Sequence, residues 1–485
     1  MRIGIDFGTT FSLPAGMING KPETLLPNGE YGIPSVFYYH SETGVQIGQP
    51  AVDSAEIDPA NAKREIKMDI NQHDNGFNAD GRNFSRKEIV GYIFKEIARV
   101  AQDETSRRAL SSQNIDGVVI SIPAAFTFRE QEFIRNAAEN GAGLKVLGFI
   151  REPVAAAISY FNAPSGEDQK TILVYDLGGG TCDVAIVRSD KKSNEWYKVL
   201  DSEMARIGGR DWDQILVNLI KRKIREQESK IRFDDQAEED ILAAALKIKF
   251  SLSRLNSAKA GIRISRKLYS VAVTREEFER ASFEILQSTM KIVDNMKRKF
   301  NGKIDYIVCV GGSSNMPQVR NFFEKHYPDV PTKIYEPEKA IAFGAAIYAE
   351  NLTEDKFLRD FCKFSYGARY IEDFEKYHDE NRLRIFNIIY KNTKLPASGE
   401  SSSWKIDASN STYIAIYESE NTSDNYIPSD GTYIGDIEIK DLRGAKKDDE
   451  TLLTMTIDKG NMMHLKAVDQ RTGKSAEVDI HLQDY

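Results

Sequence analysis

Cysteine is scarce in this chain, histidine nearly as scarce, and long apolar runs are missing altogether. The three cysteines, Cys182, Cys309 and Cys362, are odd in number, far apart and mostly set in apolar, strand-like contexts. That usage disfavours a disulfide-stapled extracellular scaffold and predicts reduced, packed thiols. The six histidines show no zinc-ligand spacing. No window approaches the roughly 18 apolar residues of a membrane helix. The N-terminal "MRIGIDFGTT" puts an acid at position 6, where a secretory signal needs an apolar stretch. A cytoplasmic location with no membrane partner is the expectation. A basic excess is absent too: the net charge of −8 disfavours nucleic-acid binding and favours solubility.

What is present is a globular composition, 41% hydrophobic and 28% charged, spread over 485 residues. That length predicts roughly two to four domains or lobes. Residues 1–350 alternate β-rich runs with amphipathic helical stretches. "TILVYDL", "GVVISIP" and "DYIVCVGG" read as buried strands, and Asp211 to Lys230 carries Trp212, Ile215, Leu216, Leu219, Ile220 and Ile224 at helical spacing. This is an α/β pattern. From residue 364 to 485 the chain turns to short alternating segments, "STYIAIYE", "IGDIEIKDL", "LLTMTID" and "MHLKAVD", separated by turn residues. That region reads as a small all-β antiparallel sandwich. Residues 351–363, "NLTEDKFLRDFCK", form a mixed charged and apolar connector.

The stretch "VYDLGGGTCDVAIV" breaks a β-forming run with Gly178, Gly179 and Gly180. Bare backbone there suits close approach of a ligand. The N-terminal "IGIDFGTT" echoes "LVYDLGGGT": a strand ending in Asp, an apolar residue, then Gly and Thr. Two related lobes explain the echo, and two such bends facing each other would present N–H groups and Thr hydroxyls to a polyphosphate. Asp6 and Asp176 would then converge and require a cation, for which magnesium is suited. The plain alternative for each Asp is turn chemistry. A third element, "IVCVGGSSNMPQVRNFF", sets a strand and a Gly pair before Pro317, which is placed to open a helix beside a polar ligand such as a nucleoside.

In this order the three elements resemble the phosphate and adenosine motifs of the actin, sugar kinase and DnaK-type chaperone superfamily. "PNGEYGIPSVFYY", "IPAAFTFREQEFIRNAAENGAGLKVLGFIREPVAAAISYF", "IGGRDWD", "YEPEKAIAFGAAIYA", "IIYKNTKLPAS" and "MTIDKGNMMHLKAVDQRTGKSAEV" narrow the likeness to the heat shock protein 70 branch, over nearly the whole chain. The resemblance implies a two-lobed actin-like (ribonuclease H-like) ATPase domain over 1–350, a linker over 351–363 and a peptide-binding β-sandwich over 364–485. It implies ATP/ADP and Mg²⁺ as ligands, with K⁺ as a further ion. Implied partners are extended or unfolded polypeptide, a J-domain protein and a nucleotide-exchange factor.

By the same resemblance, Asp6, Gly8, Thr9 and Thr10 form the first phosphate loop, and Asp176, Gly178, Gly179, Gly180, Thr181 and Asp183 the second. Asp6, Asp176 and Asp183 would serve the metal. Lys67 would orient the attacking water, and Glu152 would position metal waters and nucleophile. Gly208, Gly209, Lys249, Ser253, Gly311, Gly312, Ser313 and Glu338 would contact the nucleotide. Where the family stacks adenine between two arginines, this chain has Phe250 and Asn315, and a ribose-binding glutamate is replaced by Leu246. The plain alternatives are a solvated surface lysine for Lys67 and a core aromatic for Phe250. The family's leucine linker becomes Phe357, Leu358, Arg359 and Asp360, and a coupling-helix arginine becomes Gln131 after the retained Pro123. Ala368, Ile371 and Thr412 fall at peptide-pocket positions, and the sequence to "SAEVDIHLQDY" carries no helical lid.

Three activities are open to these residues: an ATP-hydrolysing chaperone, a nucleotide-gated regulatory or scaffolding protein with little or no hydrolysis, and a small-molecule kinase. The third lacks a recognisable acceptor domain.

Overall fold

The computed structural model describes residues 1–27, 31–70, 76–108, 110, 114–164, 166–193, 195–264, 267–354, 357–362, 364–371, 383–404, 409–458 and 462–480. The chain divides into two compact units. One is Met1–Ala124 with Ile134–Phe357, the other Ala125–Phe133 with Leu358–Tyr485. The division after Phe357 falls inside the connector.

The first unit holds two sheets of one topology. In the first, β1 (Arg2–Phe7), β2 (Phe11–Ile18), β3 (Lys21–Thr24), β4 (Gly117–Ile122) and β5 (Val146–Arg151) lie in the order β3-β2-β1-β4-β5. In the second, β6 (Thr171–Leu177), β7 (Cys182–Ser189), β8 (Tyr197–Ala205), β9 (Tyr306–Val310) and β10 (Thr332–Ile334) run β8-β7-β6-β9-β10. In each, the leading strand pairs antiparallel with its successor and parallel with the neighbour on its other side. The sequence echo is thus an echo of topology. β6 is buried along its whole length, as a central strand covered on both faces should be.

Four helices frame the site: α1 (Glu152–Asn162), α2 (Gly209–Gln227), α3 (Asp235–Leu252) and α4 (Ala340–Glu350). α1 and α4 are apolar nearly all round, which suits helices buried on every side. They pack on each other, α4 also against β1 and α1 against β6 and β7. Small residues let the backbones close: a methyl built on Gly344 would lie 1.7 Å from the Ala155 carbonyl oxygen, and one on Gly4 2.2 Å from the Ala346 nitrogen. α2 and α3 fill the second lobe's core with Trp212, Leu216, Ile220, Ile241 and Ile248. The helix read over 211–230 stops at Gln227, because Glu228 turns extended and its carboxylate accepts from Lys267 at 2.6 Å and Tyr269 at 2.8 Å.

In the second unit, β11 (Ser365–Ile371), β12 (Leu383–Ile389), β13 (Ala397–Trp404), β14 (Thr412–Ser419), β15 (Thr432–Ile439), β16 (Glu450–Ile457), β17 (Met463–Asp469) and β18 (Ser475–Asp479) form two sheets, β12-β11-β14-β15 and β13-β16-β17-β18. Ile414, Ile416, Ile437, Leu453, Met455 and Leu465 meet in one core between them. β16 alternates strictly between buried and half-buried positions, the period of a strand with one face on a core. Ala368 packs at the edge of that core, and Thr412 pairs with Ile439. The side chains of Ile371 and Arg359, and residues 355, 356 and 363 of the connector, lie outside the described residues. Phe357 is buried against Trp196, Tyr197 and Tyr348, and its carbonyl accepts from Tyr197 N at 3.1 Å. All three cysteines are free and buried.

Gly344→Ala should lower stability by ~1–3 kcal/mol, the ordinary cost of overpacking. Thermal unfolding of the variant beside Gly312→Ala, whose added methyl would meet nothing within 4 Å, checks this, with only the former expected to melt early.

Candidate functional site

The β1–β2 turn and the β6–β7 turn face each other. Gly178 N donates to Thr181 O at 3.0 Å, which closes the second turn. A methyl on Gly179 would come 2.3 Å from Thr10 Oγ1, and one on Gly180 would come 2.8 Å from Thr9 Oγ1 and 2.4 Å from Met68 Sδ. Bare backbone at these two positions leaves room for the Thr9, Thr10 and Met68 side chains opposite. Gly8 is tied down on its own side, its carbonyl accepting from Ser35 Oγ at 2.8 Å.

The start of α2 rests on the same glycines. Gly209 N donates to Gly178 O and Arg210 N to Gly179 O, each at 2.9 Å, and Gly208 has no room for a side chain against Gly180 N. From β9, Ser313 Oγ donates to Gly178 O at 3.1 Å. Gly311 takes a positive φ of 80°, and a methyl there would meet Asp176 Oδ1 at 2.4 Å. Three sequence-distant segments thus converge on the triple glycine.

Around them the acids gather. Asp6 lies near the end of β1, Asp176 near the end of β6 and directly opposite Asp183 of β7, and Glu152 opens α1. Glu152, Asp176 and Asp183 are all buried and each brings an oxygen within 4.8 Å of the others. Asp6 stands outside that trio, and Glu152, read from sequence as a positioning group, stands inside it. Lys67 comes from a short turn, Ile66–Asp69, and is only 4% exposed. Its Nζ donates to Glu152 Oε1 at 2.6 Å and to the Phe7 carbonyl at 2.5 Å. Burial sets aside the solvated-lysine alternative.

One ammonium does not neutralise four carboxyl groups. Desolvation, then the Glu152 charge, pushes the Asp6 carboxyl up to about 7, against the pull of Lys67 and of Ser121, whose hydroxyl donates at 3.0 Å. Asp183 is pushed up to about 7 by the same two causes, opposed by Ala124 N at 2.5 Å and the Thr181 hydroxyl. Burial, then Glu152, raises Asp176 well above the carboxylate range. Asp176 Oδ1 and Asp183 Oδ2 are buried without a hydrogen-bond partner among the described residues. Crowded, unpartnered carboxylate oxygens fit a hard divalent cation.

At the other end, Lys249 Nζ pairs with Asp213 at 2.6 Å and donates to Gly209 O at 3.2 Å, and Ser253 Oγ donates to Lys249 O at 3.3 Å. Phe250 is not a core aromatic: it is 64% exposed, with the Arg254 guanidinium 5.1 Å from its ring centre. Asn315 donates to Glu338 at 3.3 Å, and Gly312 faces open space. Leu246 is 40% exposed on the same helix as Phe250. Ser121, Met68, the Ala124 N–H and Arg254 are additions to the sequence reading. A serine inside the apolar "VVISIP" and an arginine four residues after Phe250 were the available signals for two of them.

A carboxyl whose folded pKa exceeds its unfolded value keeps its proton in the folded state while the unfolded chain loses it, so stability falls as pH rises through that window. For Asp6 and Asp183 the window runs from 3.8 to about 7. Glu104 and Glu277, pulled down to about 2 by Arg107 and Lys223 hydrogen bonds, act between about 2 and 4.5 with the opposite sign. In EDTA the melting temperature should therefore fall between pH 5.5 and pH 7, a range set by those shifts. Asp6→Asn and Asp183→Asn should each flatten the slope, and an unchanged slope in both would contradict the electrostatic account.

Comparison with known proteins gives the same family from two sides. The family described as Hsp70 protein matches residues 2–484. Chaperone protein DnaK of Buchnera aphidicola subsp. Schizaphis graminum (strain Sg) is 27% identical over 521 residues, covering 99% of this chain and 78% of that protein. With facing glycine turns, a carboxylate trio and a match along nearly its full length, the chain belongs to the Hsp70 family.

Proposed function

We propose that the chain is an ATP-dependent chaperone that hydrolyses ATP to ADP and phosphate in its first unit and holds extended polypeptide in its second. The observation that carries the reading is the meeting of two glycine–threonine turns over crowded carboxylates and one buried ammonium. The N–H groups of the two turns are the donors for phosphate oxygens. Glu152, Asp176 and Asp183, with Asp6 beside them, would hold Mg²⁺, which when bound supplies positive charge against the transferring phosphoryl group. Lys67 is pinned by Glu152 and the Phe7 carbonyl, so its charge is fixed in place to offset charge on the γ-phosphate and orient the attacking water. The Thr181 hydroxyl, which favours the charged form of Asp183, would face the phosphate end. No covalent step is needed, and slow turnover is expected.

The second unit supports the peptide half. Its short antiparallel strands offer edges to which an extended chain can add. A J-domain protein and a nucleotide-exchange factor are the partner classes that accompany this reading. Among the described residues no helix is long and apolar enough to cross a membrane.

One observation favours a second reading, a nucleotide-gated binding module with little hydrolysis. The base end presents the exposed ring of Phe250 and the amide of Asn315 in place of an arginine pair. Steady-state phosphate release separates the two. Thr181→Ala and Lys67→Ala should each slow it about tenfold or more, ~1.4 kcal/mol in the barrier. Equal rates in native and variant proteins would leave the gated module standing, and a phosphorylated small-molecule acceptor would point to a kinase.

A further inference from the structure

At the end of β7 away from Asp183, a cleft of about 680 Å³ opens on the second lobe. Arg188 of β7 and Lys198 of β8 line it and stand directly opposite each other across the antiparallel pair. Like charges in that relation weaken a sheet. Among the described residues neither side chain has an ion-pair or hydrogen-bond partner. The neighbouring ammonium groups are satisfied, Lys303 holding Asp305 at 2.9 Å and Lys191 donating to Asn162 and to the Phe161 carbonyl, each at 3.3 Å, whereas Asp190 on the same lining keeps a buried carboxylate oxygen without a hydrogen-bond partner among the described residues. Leu200 and Phe300, both half-buried, add apolar surface to the same lining.

We propose that this cleft binds an acidic segment of a partner polypeptide. Its Asp or Glu side chains pair with Arg188 and Lys198, removing the repulsion between them, and an apolar neighbour in the segment covers Leu200 and Phe300. The occupant is selected by the two adjacent cations that lack a side-chain partner, not by the net charge of the lining. Asp190, Glu195 and Asp305 share the lining, so a nucleic-acid backbone, anionic at every step, meets repulsion that a peptide of alternating character avoids. None of the lining residues belongs to the carboxylate site or to the β-sandwich.

The test is fluorescence anisotropy of the full chain with a labelled peptide of alternating Asp and Leu, against an Asn–Leu peptide and an oligothymidylate. The Asp–Leu peptide should bind best, and a protein carrying Arg188→Gln and Lys198→Gln should bind it about tenfold more weakly, ~1.4 kcal/mol. Phosphate release and melting temperature should be unchanged or, for melting, raised. A protein carrying Arg188→Glu and Lys198→Glu should instead gain affinity for a Lys–Leu peptide, an outcome that general damage to the fold does not produce. Equal binding of the acidic peptide by native and glutamine proteins, or tighter binding of oligothymidylate than of peptide, overturns the proposal.

Discussion

Four carboxyl groups and one ammonium lie together beneath the facing glycine turns of the first unit, and the surrounding structure keeps them there. Lys67 is buried and bound to Glu152, so removing the ammonium would leave crowded carboxylates without their cation, a loss of roughly 3–5 kcal/mol in typical buried pairs. The remaining acids are held together by backbone register: Asp176 faces Asp183 because β6 and β7 form a tight hairpin around the triple glycine. The repulsion this creates is partly relieved by retained protons and is open to relief by a cation. A site of this kind is expensive when empty and correspondingly receptive.

Duplication explains how the acids arrive from separate parts of the chain. Two sheets with the same strand order each deliver a strand-end Asp and a glycine-bearing turn, Asp6 from one and Asp176 from the other. Placed turn to turn, they make a site that neither sheet contains alone. The third contributor, the Gly311–Ser313 turn, follows β9, the parallel neighbour of β6. The positive φ at Gly311 brings that turn against Asp176. Nucleoside and phosphate ends are thereby linked through adjacent strands of one sheet.

Much of this was legible in the sequence where local chemistry decides it. The paired "DFGTT" and "DLGGGT" turns, the buried β6 and the alternating strands of the second unit all follow from period and turn composition. Tertiary neighbours were less legible. Lys67 sits among Lys63, Arg64 and Asp69, and nothing in that charged segment shows that one ammonium turns inward to a helix start 85 residues away. Phe250 falls at a base-stacking position by resemblance with a core aromatic as the plain alternative, and only the fold shows its ring exposed beside Arg254. The place of Glu152 in the carboxylate trio depends on where α1 begins relative to β6, a packing relation that spacing does not encode.

The layer formed by α1 and α4 carries a last consequence. Where Gly344 meets Ala155, main chain touches main chain, with no long side chain between to change rotamer. The separation of the two sheets is therefore gauged by the thickness of two helical backbones, dimensions set by covalent geometry and hydrogen bonding rather than by side-chain packing. A spacer made of backbone keeps its calibre across sequence change elsewhere, so the span between the phosphate-facing turns is machined to a standard length, and only substitutions at the bearing itself can reset it.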